Sequence, residues 1–274
     1  RFKDTHMAII DFFDRGWRSN PQGAAYIQDD REYSFTEVGE LSCRIANALL
    51  AQGLAKETKG AVWALNDVTA WTCTLGLWRA NMCWIPVGAR NSADENHYVL
   101  DAFDCEVLFF QKYFAGVIAE LQSRLPKIKY WICVDGDAPE VTGAVSLDAW
   151  TNDQPSTSPN IVVDMDDVVS LSSTGGTTGL PKGVMNTHRS MQTFCAHFLI
   201  GCPYGSEDAV VNLAAAPMTH TAGLLSLPCT SRGGTVVVVT KPDPALLLAA
   251  IPKYKVTEMF LPPTVIYRLL DIPG

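Results

Sequence analysis

The chain has 274 residues, 47% of them hydrophobic and 18% charged, a balance that excludes intrinsic disorder and suffices to bury one large core or two modest ones. A formal net charge of −8 excludes a general nucleic-acid footprint, so an anionic ligand has to be held by local geometry. The eight cysteines (43, 73, 83, 105, 133, 195, 202 and 229) form no CxxC pair and no Cys/His cluster at zinc spacing; no metal ligands are assigned, and the thiols read as small buried hydrophobes in a reducing compartment.

In chain order, strands are predicted near 24–29, 60–65, 83–87, 106–110, 129–134, 167–173, 209–214, 234–240 and 256–261, with apolar helical segments between most of them. Strands alternating with helices predict an α/β fold of mostly parallel sheets, covered on both faces. Over Tyr33–Leu54, Ser34 or Thr36 can cap a helix whose apolar face is Val38, Leu41, Ile45, Leu49 and Leu50. The least ordered stretch is Asp135–Asp164, rich in Gly, Pro, Ser, Thr, Asn and Asp. It reads as a connection, and the chain divides there into a first α/β subdomain at 1–160 and a second at 161–274. Further on, Met191, Phe194, Cys195, Phe198 and Leu199 recur at helical spacing, and Thr235–Thr240 has the continuous β-branched character of a doubly buried strand. Asp243 caps the next helix, with Pro244 at its first position. The best candidate for a membrane span, Leu224–Val239, is broken by Pro228, Arg232 and two glycines, so no transmembrane segment is expected. No signal peptide is recognised, and Arg1 leaves the natural N-terminus unrepresented.

One segment carries chemistry. Ser173–Gly183 reads STGGTTGLPKG, four glycines and one lysine in eleven residues, between the β-rich DVVSLS of Asp167–Ser172 and a possible short strand at Val184–Met185. Glycines let successive backbone N–H groups turn toward an anion, Thr174, Thr177 and Thr178 add donors, and Lys182 adds a mobile positive charge. That is the composition of a phosphate cradle. It is not the common NTPase loop, because Pro181 precedes Lys182 and Gly183 follows it, and the glycine spacing does not fit GxGxxG.

STGGTTGLPKGV resembles the phosphate-binding signature of the adenylate-forming enzymes, which include acyl-CoA synthetases, aryl-CoA ligases, luciferases and the adenylation domains of peptide synthetases. The usual form has Tyr-Thr-Ser before GTTGxPKG; Ser173, Thr174 and Gly175 stand here, with one hydroxyl and an aromatic ring fewer. The resemblance extends to Tyr33–Leu54, to Gly60–Asn66, Trp71–Ala80 and Cys83–Arg90, and to Asn212–Gly223, NLAAAPMTHTAG. It implies the N-terminal domain of an adenylate-forming enzyme, a layered αβαβα arrangement of mostly parallel sheets. It further implies ATP-dependent activation of a carboxylic acid, fatty by preference, as an acyl-AMP, followed by thioester formation with CoA, with Mg2+ sharing the phosphate charge.

By the same resemblance Ser173, Thr174, Gly175, Gly176, Thr177, Thr178, Gly179 and Lys182 bind the ATP phosphates, Lys182 and His220 are catalytic, and His220 with Gly223 lines the acyl pocket. His188 matches a position beside the loop and is expected to hydrogen-bond structurally, Arg90 is a surface or capping residue, and His6, His97 and His197 carry no site context. A cytoplasmic enzyme acting on small molecules is expected, without nucleic acid and with an oligomer possible. Family members continue well past Gly274; the adenine-binding segment, the Thr-Glu pair for ATP and magnesium, the ribose-binding aspartate and the mobile C-terminal domain with its lysine would lie beyond it, leaving this part alone inactive. An adenylation domain that loads a carrier protein, and a non-catalytic nucleotide- or acyl-binding module, are the alternatives.

Overall fold

The computed structural model describes residues 7–174, 181–205, 208–241 and 243–272. In chain order its elements are α1 (Asp11–Ser19), β1 (Ala24–Gln28), β2 (Arg31–Ser34), α2 (Phe35–Ala51), β3 (Lys59–Trp63), α3 (Val68–Arg79), β4 (Cys83–Pro86), α4 (Ala93–Ala102), β5 (Cys105–Phe110), α5 (Ala115–Leu121), β6 (Tyr130–Cys133), β7 (Val145–Ser146) and α6 (Leu147–Thr151). There follow β8 (Val168–Ser173), β9 (Gly183–Thr187), α7 (His188–Gly201), β10 (Val211–Ala214), α8 (Thr221–Ser231), β11 (Thr235–Val238), α9 (Pro244–Tyr254), β12 (Glu258–Met259) and α10 (Pro263–Leu270).

These elements form two compact units, one of residues 1–10, 40–64 and 69–192, the other of residues 11–39, 65–68 and 193–274. The chain therefore enters each unit more than once. The polar stretch expected to join two subdomains lies within the first unit, where Asn47 Nδ2 donates to Pro155 O at 2.8 Å and Thr157 O at 3.0 Å. The stretch is mostly exposed but includes β7 and α6, with Ala138, Val141, Leu147 and Val163 buried.

The first unit is built on a seven-stranded sheet, in the order β7-β6-β5-β3-β4-β8-β9. All pairs are parallel except β8–β9, a hairpin at the edge. Three fully buried tryptophans cover part of it: Trp71 and Trp78 on α3 and Trp84 on β4 meet edge to face, with ring centroids 5.6 to 5.8 Å apart. That geometry sets the positive edge of one ring on the negative face of the next. Trp78 Nε1 also donates to Val169 O at 2.9 Å, which fastens α3 to the strand leading into the glycine-rich loop.

The second unit carries a five-stranded sheet, β12-β10-β11-β1-β2, parallel apart from the β1–β2 hairpin. β11 lies between parallel neighbours with Val236, Val237 and Val238 buried, as its β-branched run predicts. β2 was absent from the sequence expectation. Asp29 and Asp30 both take positive φ, 51° and 64°, the two-residue geometry that reverses a chain into a twisted hairpin, and the helix expected from Tyr33 starts only at Phe35. Ser34 caps it in a reciprocal box: Glu37 N–H donates to Ser34 Oγ at 3.1 Å, and Ser34 N–H to Glu37 Oε2 at 2.7 Å. Asp243 caps α9 through the N–H groups of Ala245 and Leu246.

All eight cysteines are free thiols, seven of them buried and Cys202 half-buried. Burial pushes Cys83, Cys105 and Cys195 up to about 12 and Cys133 to about 11, so these thiols stay protonated and unreactive. Among the described residues no helix is long and apolar enough to cross a membrane.

In the second unit α1 packs on α8 through Gly16, where an added Cβ would lie 1.8 Å from Thr230 O and 2.8 Å from the Phe35 ring. Gly16→Ala gains roughly 1 kcal/mol of helix propensity but forces two backbones apart, an overpacking cost of about 3 kcal/mol. Urea denaturation should find the variant less stable by about 2 kcal/mol; equal or greater stability would show that the two helices do not depend on this approach.

Candidate functional site

The glycine-rich segment lies in the chain between β8 and β9, which pair as an antiparallel hairpin. Antiparallel pairing runs from Val168↔Thr187 up to Ser173↔Gly183, with an irregularity between Val168 and Ser170. Beyond the last pair, Thr174 N–H donates to Lys182 O at 2.9 Å and the Thr174 hydroxyl to the same oxygen at 3.3 Å. These two bonds close the mouth of the loop. The Tyr98 hydroxyl donates to Pro181 O at 3.4 Å, and a Cβ on Gly183 would come within 3.0 Å of Leu171 and 3.3 Å of the Phe103 ring, so the returning strand lies against packed side chains. Ser173 is half-buried, while Thr174 and Lys182 are exposed. Gly175, Gly176, Thr177, Thr178 and Gly179 lie outside the described residues.

The base of the hairpin is held by a polar network that local sequence does not announce. Asp167 directly precedes β8 and His188 directly follows β9, and His188 N–H donates to Asp167 O at 3.2 Å. The Asp167 carboxylate accepts from Lys56 Nζ at 2.6 Å, Asn81 Nδ2 at 2.8 Å and Asp164 N–H at 2.9 Å. Burial works to raise its pKa, but the bonds from Lys56, Asn81 and Asp164 outweigh burial and bring it down to about 2. Asn81 Oδ1 lies 3.0 Å from His188 Nε2, and Ile9 N–H donates to His188 Nδ1 at 3.0 Å. Because Nδ1 accepts, the neutral ring carries its proton on Nε2 and donates it to Asn81. Burial lowers the imidazole to about 4, against the opposing pull of Asp167. His188 thus has the structural hydrogen-bonding role expected of it. Asn81 follows α3 with φ of 55°, a conformation asparagine tolerates, while its amide supplies both a donor and an acceptor; glycine would take the turn and lose the bridge.

His220 and Gly223 are both in the second unit. His220 caps α8: its Nδ1 accepts Thr221 N–H at 2.9 Å, which places the proton of the neutral ring on Nε2, and its side chain is exposed. Gly223 is buried in the first turn of that helix, and Ser226 Oγ donates to its carbonyl at 2.6 Å. Phe194 and Phe198 stack along α7 with centroids 6.2 Å apart, Leu225 is buried, and Met259 is half-buried against a small core around Leu213, Val237 and Leu247.

Two mostly parallel sheets, one of them ending in a hairpin whose connecting segment is rich in Gly and Thr, define the chain as an α/β protein. The chain belongs to the AMP-binding enzyme family, which it matches over residues 13–274. A Mycobacterium tuberculosis protein named as a methyl-dioxo-octahydroindenyl-propanoyl:CoA ligase is 29% identical over 273 residues, covering 95% of this chain and 52% of that protein. Feruloyl-CoA synthase from Amycolatopsis sp is 28% identical over 259 residues, covering 93% and 49%. Among solved structures, an anthranilate CoA ligase in complex with anthranoyl-AMP superposes with a TM-score of 0.89 at 21% identity, over 98% of this chain and 52% of that one. A long-chain-fatty-acid-CoA ligase from Archaeoglobus fulgidus gives 0.85 at 21% identity, over 97% and 53%. The chain spans about half the length of the curated relatives it matches. The expected fold class, mostly parallel α/β sheets of an adenylate-forming enzyme, is borne out.

The His188 network makes a signed prediction about pH. The folded imidazole, at about 4, lies below its ordinary 6.5, so between these values the unfolded chain binds a proton that the folded chain excludes. Stability present above pH 6.5 is therefore lost as pH falls toward 4, by up to about 3 kcal/mol. Urea denaturation at stepped pH should show a steeper fall in this window for the unchanged protein than for His188→Gln; parallel curves would refute the assignment.

Proposed function

We propose that the protein, at its family's full length, activates a carboxylic acid with ATP and transfers the acyl group to CoA. A carboxylate oxygen attacks the α-phosphorus, pyrophosphate leaves, and an acyl-AMP results. The CoA thiol then attacks the acyl carbonyl, loses its proton and expels AMP. Adenylation serves the second step because AMP leaves far more readily than a carboxylate oxygen. The observation that carries this reading is the hairpin loop closed by Thr174 and Lys182 in a chain that belongs to the AMP-binding family.

In this reading Ser173, Thr174, Gly175, Gly176, Thr177, Thr178, Gly179 and Lys182 hold the β- and γ-phosphates, and the Lys182 ammonium offsets charge developing on the departing pyrophosphate. His220 Nε2–H donates to the acyl carboxylate at the N-terminus of α8, where the helix dipole favours an anion, and Gly223 lines the acyl pocket. Mg2+ would arrive with the triphosphate: among the described residues no group of three or more His, Cys, Asp or Glu is placed to hold it, and no step is routed through it. The acid is read as a fatty acid; relatives named for feruloyl and benzoate thioesters make an aromatic acid the competing substrate. The eight free thiols support a reducing, cytoplasmic setting. The 274-residue chain by itself is proposed to be inactive, since it spans about half of its relatives' length.

ATP–pyrophosphate exchange by the full-length enzyme, with a panel of fatty and aromatic acids, tests the reading. Lys182→Ala should lower exchange roughly 10- to 100-fold, the loss of one charge-assisted contact. Gly176→Val should abolish it, because a branched Cβ obstructs backbone approach to phosphate. Wild-type exchange in the valine variant would remove the cradle reading. His220→Asn keeps a good helix cap and should lower acid-dependent exchange about 10-fold with little change in Tm; normal exchange would leave His220 a cap alone.

A further inference from the structure

Asn66 follows β3 and is buried in the second unit, with three hydrogen bonds to backbone far away in sequence. Its Nδ2 donates to Ala216 O and to Val239 O, each at 3.0 Å, and its Oδ1 accepts Met218 N–H at 2.7 Å. Ala216 lies just past β10, Val239 just past β11, and Met218 in the turn that ends at His220. Two carbonyls on one side and one N–H on the other leave a single orientation for the amide, since turning it over would set Oδ1 against two oxygens. Few side chains of this length meet that demand. Aspartate has no donor when ionised, leucine has neither group, and glutamine is one methylene too long.

The neighbouring residues reinforce the clamp. Gln28, at the end of β1, accepts Val68 N–H at 2.8 Å through Oε1 and donates through Nε2 to Asp67 Oδ2 and Thr240 Oγ1, both at 3.3 Å. Asn66 and Gln28 together fasten residues 65–68 to the C-terminal ends of β1, β10 and β11, the edge at which open α/β sheets present their ligand-binding loops. From the clamped Met218 the chain reaches His220 in two residues, with His220 N–H donating to Pro217 O at 3.1 Å.

We propose that Asn66 is a positioning residue for His220: its amide fixes the turn from Ala216 to His220, and with it the place of the imidazole that meets the acyl carboxylate. The inference rests on the reading of His220 given above. It assigns Asn66 an effect on use of the acid and none on binding of ATP.

A double-mutant cycle in the full-length enzyme tests this, reading ATP–pyrophosphate exchange against acid concentration, ATP concentration and pH. Octanoate and ferulate are the probes, and whichever supports faster exchange is carried through. Asn66→Asp at pH 8 should lower kcat/KM for the acid by up to about 10-fold, no more than the loss from His220→Asn, while KM for ATP stays unchanged. As pH falls toward 6 the introduced carboxyl, buried against two carbonyl oxygens, takes up a proton and regains a donor, so the deficit should narrow. Asn66→Leu should show the loss without that recovery. Combined with His220→Asn, Asn66→Asp should add little to the loss from His220→Asn alone, because both act through one ring. If Asn66→Asp does not fold, Asn66→Ser, which keeps one donor, takes its place in the cycle. Additive losses, or equal losses for acid and ATP, overturn the inference and leave the His220 reading intact. Full activity of His220→Asn overturns both.

Discussion

One buried carboxylate, Asp167, ties the glycine-rich hairpin into the first unit. A hairpin at a sheet edge has one partnered side, and β8 meets β4 at the single register pair Trp84↔Ser170. Such a strand pair would be free to shear if its base were held by ladder bonds alone. Asp167 prevents this by accepting from Lys56, Asn81 and Asp164 while its own carbonyl receives His188 N–H, so both feet of the hairpin converge on one residue. Val168 N–H adds a bond to Glu57 Oε1 at 2.7 Å. The carboxylate can stay ionised because three donors replace the water it has lost.

The second unit solves an equivalent problem with an amide. Parallel strands end on loops whose backbone groups have left the ladder, and every such buried group needs a partner. Past β10 and β11 the carbonyls of Ala216 and Val239 find theirs in Asn66. The difference in side chain follows from the groups to be satisfied. At the hairpin foot the partners are an ammonium, an amide and a backbone N–H, all donors, and a carboxylate is the apt acceptor. Beside Asn66 the partners are two acceptors and one donor, which only an amide matches without a net charge.

These contrasts explain what the sequence revealed and what it concealed. Strand positions were legible because β-branched runs such as Val236–Val238 are buried, and α9 because Asp243 and Pro244 act within one turn. The loop stands out in the sequence because glycine, threonine and lysine are concentrated in a short window. Asn66 and Asn81 do not. Their partners lie 86 to 173 residues away, and an asparagine after a strand or helix has the same local appearance whether it caps a turn or spans a fold. The β1–β2 hairpin escaped because aspartates at 29 and 30 take the positive φ that sequence reading expects of Asn-Gly or Asp-Gly. Compact units are defined by long-range packing, which composition along the chain does not carry.

The two ends of the hairpin differ in kind. At the foot, charge and burial combine, and distortion would strand an ionised carboxylate away from its donors. At the mouth, one backbone bond and one hydroxyl bond from Thr174 to Lys182 O join neutral groups at an exposed position. Bonds of that kind are worth about 1 kcal/mol each, so they hold Thr174 against Lys182 more weakly than the charged network holds the foot. Lys182 serves both ends of this logic: its carbonyl closes the loop and its side chain remains exposed. The position of the ammonium is therefore inherited from a backbone that Pro181, Tyr98 and the packing around Gly183 hold in register with Ser173.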